Sequence, residues 1–100
     1  ETNFTLFMKF EWDFRKAEIN QEKHGVDFGE ALEVFGDPNA LYGNDPEHSI
    51  SERRFFVIGI SKNQLLFVVY VEKDGGETIR IISARRADRR HHFEYAKQLF

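Results

Sequence analysis

Leu65-Leu-Phe-Val-Val-Tyr-Val71 is the most hydrophobic stretch of the chain, and turn signals bound it on both sides. Lys62-Asn63-Gln64 precedes it and Asp74-Gly75-Gly76 follows. A short run of β-branched and aromatic residues between turns predicts a central strand covered on both faces. The runs beyond each turn also have strand composition: Arg54–Ile60 on one side and Thr78–Ser83 on the other. In the second of these, alternation sets Ile79 and Ile81 on one side and Arg80 and Ile82 on the other. Turns this short join antiparallel neighbours. Residues 54–83 therefore predict an antiparallel meander, and the rest of the chain has to pack on it.

The first half supplies the packing layer. Met8, Phe10 and Trp12 alternate with polar residues, as in a half-buried strand. Asp13 is placed to cap a helix that runs to about His24 and ends at Gly25, where a left-handed residue is needed. Its inward face carries Phe14, Ala17, Asn20 and Gln21, only partly apolar, so the helix is expected to be peripheral. Asp27 and Glu30 resemble a capping box for a second helix. Phe28, Ala31, Leu32 and Phe35 should face the core from it, and Gly36-Asp37-Pro38 stops it. Ala40-Leu41-Tyr42 reads as a short strand and residues 43–52 as an exposed polar loop. A last helix from about Arg85 sets Phe93, Ala96 and Phe100 on one face, with Tyr95 and Leu99 beside it. The order predicts one α+β domain over residues 8–100, with residues 1–7 an extension or vector remnant.

One hundred residues allow one domain, and 41% hydrophobic content with 11 Phe allows a small core. The chain has no Cys, so disulfides and thiolate metal sites are excluded, and a reducing, cytoplasmic location is expected. No run approaches the ~18 apolar residues of a membrane span, and no signal-peptide pattern is present. No membrane partner is expected. The net charge of −3 is divided unevenly. Residues 1–50 carry 4 Lys+Arg against 11 Asp+Glu, and residues 51–100 carry 10 against 6. An acidic half and a basic half predict two polar surfaces with different partners.

The basic half is concentrated in Arg80–Arg90, with five arginines and one acid at a predicted strand–helix junction. Arginine's planar, permanently charged fork suits phosphate, although a charge run can equally be a solvated face. Arg80 on the open face of the sheet would suggest a site, with an ion pair to Glu72 or Glu77 as the structural alternative. His24, at a helix end, reads either as a C-terminal cap or as a proton-transfer group. His48 lies in a polar loop with no structural duty in view. His91 and His92 are adjacent and cannot face the same way on a helix. No pair of histidines has metal-site spacing, and no phosphate-binding glycine loop or nucleophile elbow is present, so no metal or cofactor is expected. Arginines, histidines, Lys23 and Glu52 suit cleavage of RNA, which brings its own nucleophile in the 2′-hydroxyl. The protein then needs to supply only a base, an acid and cations for the pentavalent phosphate.

The combination of Met8 to Asp13 (Met-Lys-Phe-Glu-Trp-Asp), Asn20-x-x-Lys23-His24-Gly25-Val26-x-Phe28, Ala31-x-x-Val34-Phe35-x-Asp37-Pro38, Glu52-Arg53-Arg54-Phe55 and Ile79-Arg80-Ile81-Ile82-Ser83-Ala84-Arg85-Arg86-Ala87 resembles the BrnT toxins, from Met8 to about Tyr95. The resemblance implies a RelE/ParE-like fold, with an N-terminal strand and two helices on an antiparallel sheet and a C-terminal helix. It implies a ribonuclease that inhibits translation as the toxin of a bacterial type II toxin–antitoxin pair. It also implies a BrnA-like antitoxin of ribbon-helix-helix type, a heterotetrameric complex, and operator DNA bound only through the antitoxin. By position, Arg80, Arg85 and Arg86 become the leading catalytic candidates, with Glu52, Arg54 and His24 behind them. Lys23, His48, Arg53, Arg89 and Arg90 become candidate RNA contacts. Glu52 is the first choice for the base, and His24 or His48 the second. The residues before Met8 and the His91-His92 pair depart from the family pattern. The competing readings are a non-catalytic interaction module and a gyrase-directed, ParE-like toxin.

Overall fold

The computed structural model describes residues 8–45 and 52–100. The predicted meander is present: β3 (Phe55–Ser61), β4 (Gln64–Lys73) and β5 (Thr78–Arg86) pair antiparallel in sequence order. β2 (Leu41–Asn44) extends the sheet beyond β3, and β1 (Lys9–Trp12) extends it beyond β5. The strand order is β1-β5-β4-β3-β2, so β4 is central, as its hydrophobic run requires. β1 runs parallel to β5, with Glu11 opposite Arg80 and Trp12 opposite Ile81, and the sheet is therefore mixed.

One face of the sheet carries the main core. Val57, Leu66, Val68, Tyr70, Ile79, Ile81 and Ala84 meet Val26, Phe28, Ala31 and Val34 there, with Phe10 and Trp12 packed alongside. Burial of a large apolar side chain of this kind contributes about 1.5–3 kcal/mol. Helix α1 (Phe14–His24) starts where Asp13 Oδ1 accepts the N–H groups of Arg15 and Lys16 at 2.8 and 3.3 Å. It ends at Gly25, whose φ of 68° is left-handed and costs glycine little. The second helix is shorter than expected. α2 covers only Phe28–Ala31 and tightens into a 3₁₀ segment, Leu32–Gly36. Three residues per turn aligns Phe28, Ala31 and Val34 inward, so Val34 is fully buried while Leu32 and Phe35 are only partly covered.

Peripheral α1 packs Ala17 against the core and is anchored by one buried polar residue. Buried Asn20 donates through Nδ2 to the carbonyls of Val26 and Ala84, and its Oδ1 accepts the Ala84 N–H. The β1 ladder stops at Ile81, so the Asn20 amide takes up β5 backbone groups beyond the end of that ladder.

Helix α3 (Arg89–Lys97) packs on the other face, where Tyr95 joins Ile58 and Leu65, with Phe56, Phe67 and Ala87 around them. It begins later than predicted, at the Asp88 N-cap, and β5 continues through Arg85 and Arg86. Its buried positions are His91 and Tyr95, one turn apart, while Phe93 and Phe100 are exposed, so the Phe93–Ala96–Phe100 stripe is not the packing face. Among the described residues no helix is long and apolar enough to cross a membrane.

Candidate functional site

Strict alternation along β5 would put Arg80 and Arg86 on one face of the sheet and Arg85 on the other. The structure departs from this at a bulge. Tyr70 pairs with Ile81 and Val69 with Ser83, so Ile82 is the extra residue. The bulge resets the phase. Ile81 and Ala84, three apart, both enter the main core, while Arg80, Ser83 and Arg85 come to the opposite face. Arg86 turns away from them, and its Nε donates to Gln64 Oε1 at 3.0 Å.

On this second face α3 covers one end of the sheet and leaves a cleft of about 680 Å³ beside it. Phe56, Ile58, Phe67, Val69 and Ser83 line its floor, and Arg54, Arg85, Arg90, His91 and Glu94 are among its walls. The aromatic rings form a continuous stack. Phe56 and Phe67 lie 5.4 Å apart at 25°, and Phe67 and His91 lie 4.2 Å apart at 9°. The Arg85 guanidinium carbon sits 4.9 Å from the Phe67 ring centroid, a cation–π contact that orients its fork. Gly43 is opposite Phe56 in the β2–β3 ladder, and a Cβ there would stand 2.4 Å from the ring, so glycine is needed for Phe56 to lie flat.

His91 is the third residue of α3 and closes its cap. Asp88 Oδ1 accepts the His91 N–H at 3.0 Å, and His91 Nδ1 accepts the Asp88 N–H at 3.1 Å. Burial lowers the imidazole pKa below its ordinary value. The Asp88 carboxylate opposes that, and Arg85, Arg90 and His92 reinforce it. The bond from the His91 N–H in turn holds the Asp88 carboxyl below its usual range.

The sequence candidates separate clearly. Arg54, Arg85 and Arg90 share the cleft. Arg54 immediately precedes β3, whose first residue is level with Tyr70 and Ile81, while Arg85 lies near the end of β5, level with Phe67 and Ile58, so the two reach the cleft from opposite ends. Glu52 is exposed and lies 3.9 Å from Arg54. Arg80 is on the same face but is drawn toward β1, where its guanidinium meets Glu11 Oε2 at 2.8 Å. Its partner is therefore Glu11, shared with Lys73, rather than Glu72 or Glu77, because the parallel register sets Glu11 beside it. Arg86 and His92 line a separate hollow with Gln64 and Tyr95. Lys23 and His24 sit at the C-terminus of α1 and line none of these cavities. Arg53 and Arg89 are exposed. His48 lies outside the described residues.

Sequence reasoning missed His91, Glu94 and the Phe56–Phe67 stack as cleft residues. A signal for His91 was present, because Asp88 has N-cap chemistry and places His91 at the third helical position. The stack had none, since it depends on the register between β3 and β4.

The family model described as "Ribonuclease toxin, BrnT, of type II toxin-antitoxin system" matches residues 12–91 of the chain. The matched span includes every cleft residue named above except Glu94. No curated protein matches the chain.

Proposed function

The chain belongs to the BrnT family of ribonuclease toxins of type II toxin–antitoxin systems, and from that premise we propose that it cuts RNA in the cleft beside α3, without a metal ion. The observation that carries this reading is the cleft's combination of Arg54, Arg85 and Arg90 with the Phe56–Phe67–His91 stack. Single-stranded RNA is held by that pairing of chemistries, cations for the backbone and aromatic faces for unstacked bases. Three guanidiniums against the carboxylates of Asp45 and Glu94 leave the cleft with an excess of positive charge, which favours an anion over a bare metal cation.

In the proposed reaction the ribose 2′-hydroxyl attacks the adjacent phosphate, and the bond to the 5′-oxygen breaks. The products are a 2′,3′-cyclic phosphate and a 5′-hydroxyl. Arg85, oriented over Phe67, and Arg90 hold the charge that builds on the phosphate oxygens. Arg54 binds at the far end of the cleft. A carboxylate accepts the 2′-hydroxyl proton, and the departing 5′-oxygen takes a proton from solvent water to become the 5′-hydroxyl. Glu94 lines the cleft, and Glu52 does not line it but lies 3.9 Å from Arg54, so Glu52→Gln and Glu94→Gln separate the two. Arg80 and Arg86 contact backbone outside the reacting phosphate, and His24 stands apart from the chemistry.

A toxin of this class has an antitoxin partner. We assign that partner as BrnA-like, with a ribbon-helix-helix DNA-binding domain, covering the basic cleft within a cytoplasmic heterotetramer. Translation stops because messenger RNA is cut. Purified chain incubated with RNA in excess chelator tests the reading. Fragments with cyclic-phosphate ends are expected. A shifted but intact RNA would favour an interaction module, and broken DNA with intact RNA a gyrase poison.

A further inference from the structure

His91 does more than cap a helix. Its ring is buried, with a side chain 8% exposed, and it is held from two directions. One ring face lies parallel to Phe67 at 4.2 Å, and Nδ1 is occupied by the Asp88 N–H at 3.1 Å. A nitrogen that accepts an N–H carries no proton of its own, so this bond sets the uncharged ring's proton on Nε2, against the pull of Asp88 Oδ1, which lies 3.2 Å from the same Nδ1. Nε2 makes none of the hydrogen bonds described for this ring, and the ring lines the cleft with Arg54, Arg85, Arg90 and Glu94.

We propose that His91 contacts the RNA phosphate in this cleft through its Nε2–H, as a hydrogen-bond donor whose tautomer is set by the α3 cap. The contact adds a directional donor to the three arginines. It also excludes His91 as the general base of the reaction, because a base needs a lone pair on the atom facing the substrate. The charged groups around the ring agree with an uncharged donor. Arg85, Arg90 and His92 disfavour a second proton, burial does the same, and Asp88 alone opposes them. The proposal rests on the cleft being the RNA site, and its test is separable from the test of cleavage.

Two substitutions divide the roles. Glutamine at the third helical position can accept the Asp88 N–H with its oxygen and offer its N–H₂ to the cleft, so His91→Gln keeps both bonds. Phenylalanine keeps a ring against Phe67 but has no donor, so His91→Phe loses both. Binding is read by fluorescence anisotropy on a fully 2′-O-methylated RNA, which cannot be cut, with thermal melts of both variants. His91→Gln should bind within about 3-fold of the parent and His91→Phe about 10-fold or more weaker, the range of one hydrogen bond to a charged group. Unchanged binding by a folded His91→Phe would overturn the proposal, and so would a His91→Gln that weakens as much as His91→Phe. A ¹⁵N-histidine spectrum of the unsubstituted chain decides independently of whether either variant folds. A protonated Nε2 and a bare Nδ1 are expected at neutral pH, and the opposite tautomer would contradict the proposal. If binding follows this pattern while unmodified RNA stays uncut, the phosphate contact stands and the ribonuclease reading falls.

Discussion

Asp37 shows how one side chain ties three elements together. Its Oδ2 accepts the Tyr95 hydroxyl at 2.6 Å and the Ile60 N–H at 2.8 Å, and its Oδ1 accepts the Asn39 N–H at 2.8 Å. Burial raises its pKa, but these three bonds outweigh burial and leave the carboxyl below its ordinary range. A carboxyl with a depressed folded-state pKa contributes stability above its unfolded value and loses it as pH falls through the folded one. The same pair raises Tyr95 to about 12, through burial and the Asp37 carboxylate, so its contribution is complete below about 10 and lost as pH rises through 12. Asp37→Asn should therefore lower the urea midpoint at pH 7 and make stability less sensitive to acid below about pH 4. Equal acid sensitivity in the variant and the parent would contradict the assignment.

At the scale of elements, α1 depends on Asn20 more than on its own apolar face. Asn20→Ala leaves the Ala84 N–H and C=O without partners in a buried position, at a cost of about 1–3 kcal/mol. Denaturant unfolding should show that loss, while RNA cleavage per folded molecule stays unchanged, because Asn20 is not among the residues lining the cleft. The elements themselves were largely legible. Alternation at Met8–Trp12, the run at Leu65–Val71, the Asp13 cap and the Gly25 stop each act locally, and each appears where the local rule puts it. The site was legible only in part, because it depends on one nonlocal irregularity. The extra residue at Ile82 brings Arg85, rather than Arg86, to the face that carries Arg80, although nothing in Arg80–Ala87 marks a bulge. The parallel pairing of β1 with β5 was hidden for the same reason, and with it the Glu11 partner of Arg80. The start of α3 was a misread cap. Asp88 opens the helix, so Arg85 and Arg86 belong to a strand and obey its alternation.

For the molecule as a whole, the sheet divides the work. One face is filled by α1, α2 and the main core, and the other is left partly open by a single short helix. The division of charge along the chain follows the same plan, since the arginines of the cleft all come from the basic second half. With three guanidiniums on phosphate, the log of RNA affinity should fall against the log of salt with a slope of about −2. Titrations of uncut 2′-O-methyl RNA at several salt concentrations check this, and a slope near zero would mean that the arginines do not meet the backbone. The most direct measurement compares two neighbours, Arg85, which lines the cleft, and Arg86, which lines the separate hollow beside Gln64. RNA cleavage in chelator is followed for Arg85→Ala and Arg86→Ala, with a thermal melt of each. Arg85→Ala should lose about 100-fold or more in rate, the scale of one transition-state charge contact, while Arg86→Ala stays within a few-fold and both remain folded. An Arg86→Ala that is inactive beside an active Arg85→Ala would place the chemistry outside the cleft and contradict the account.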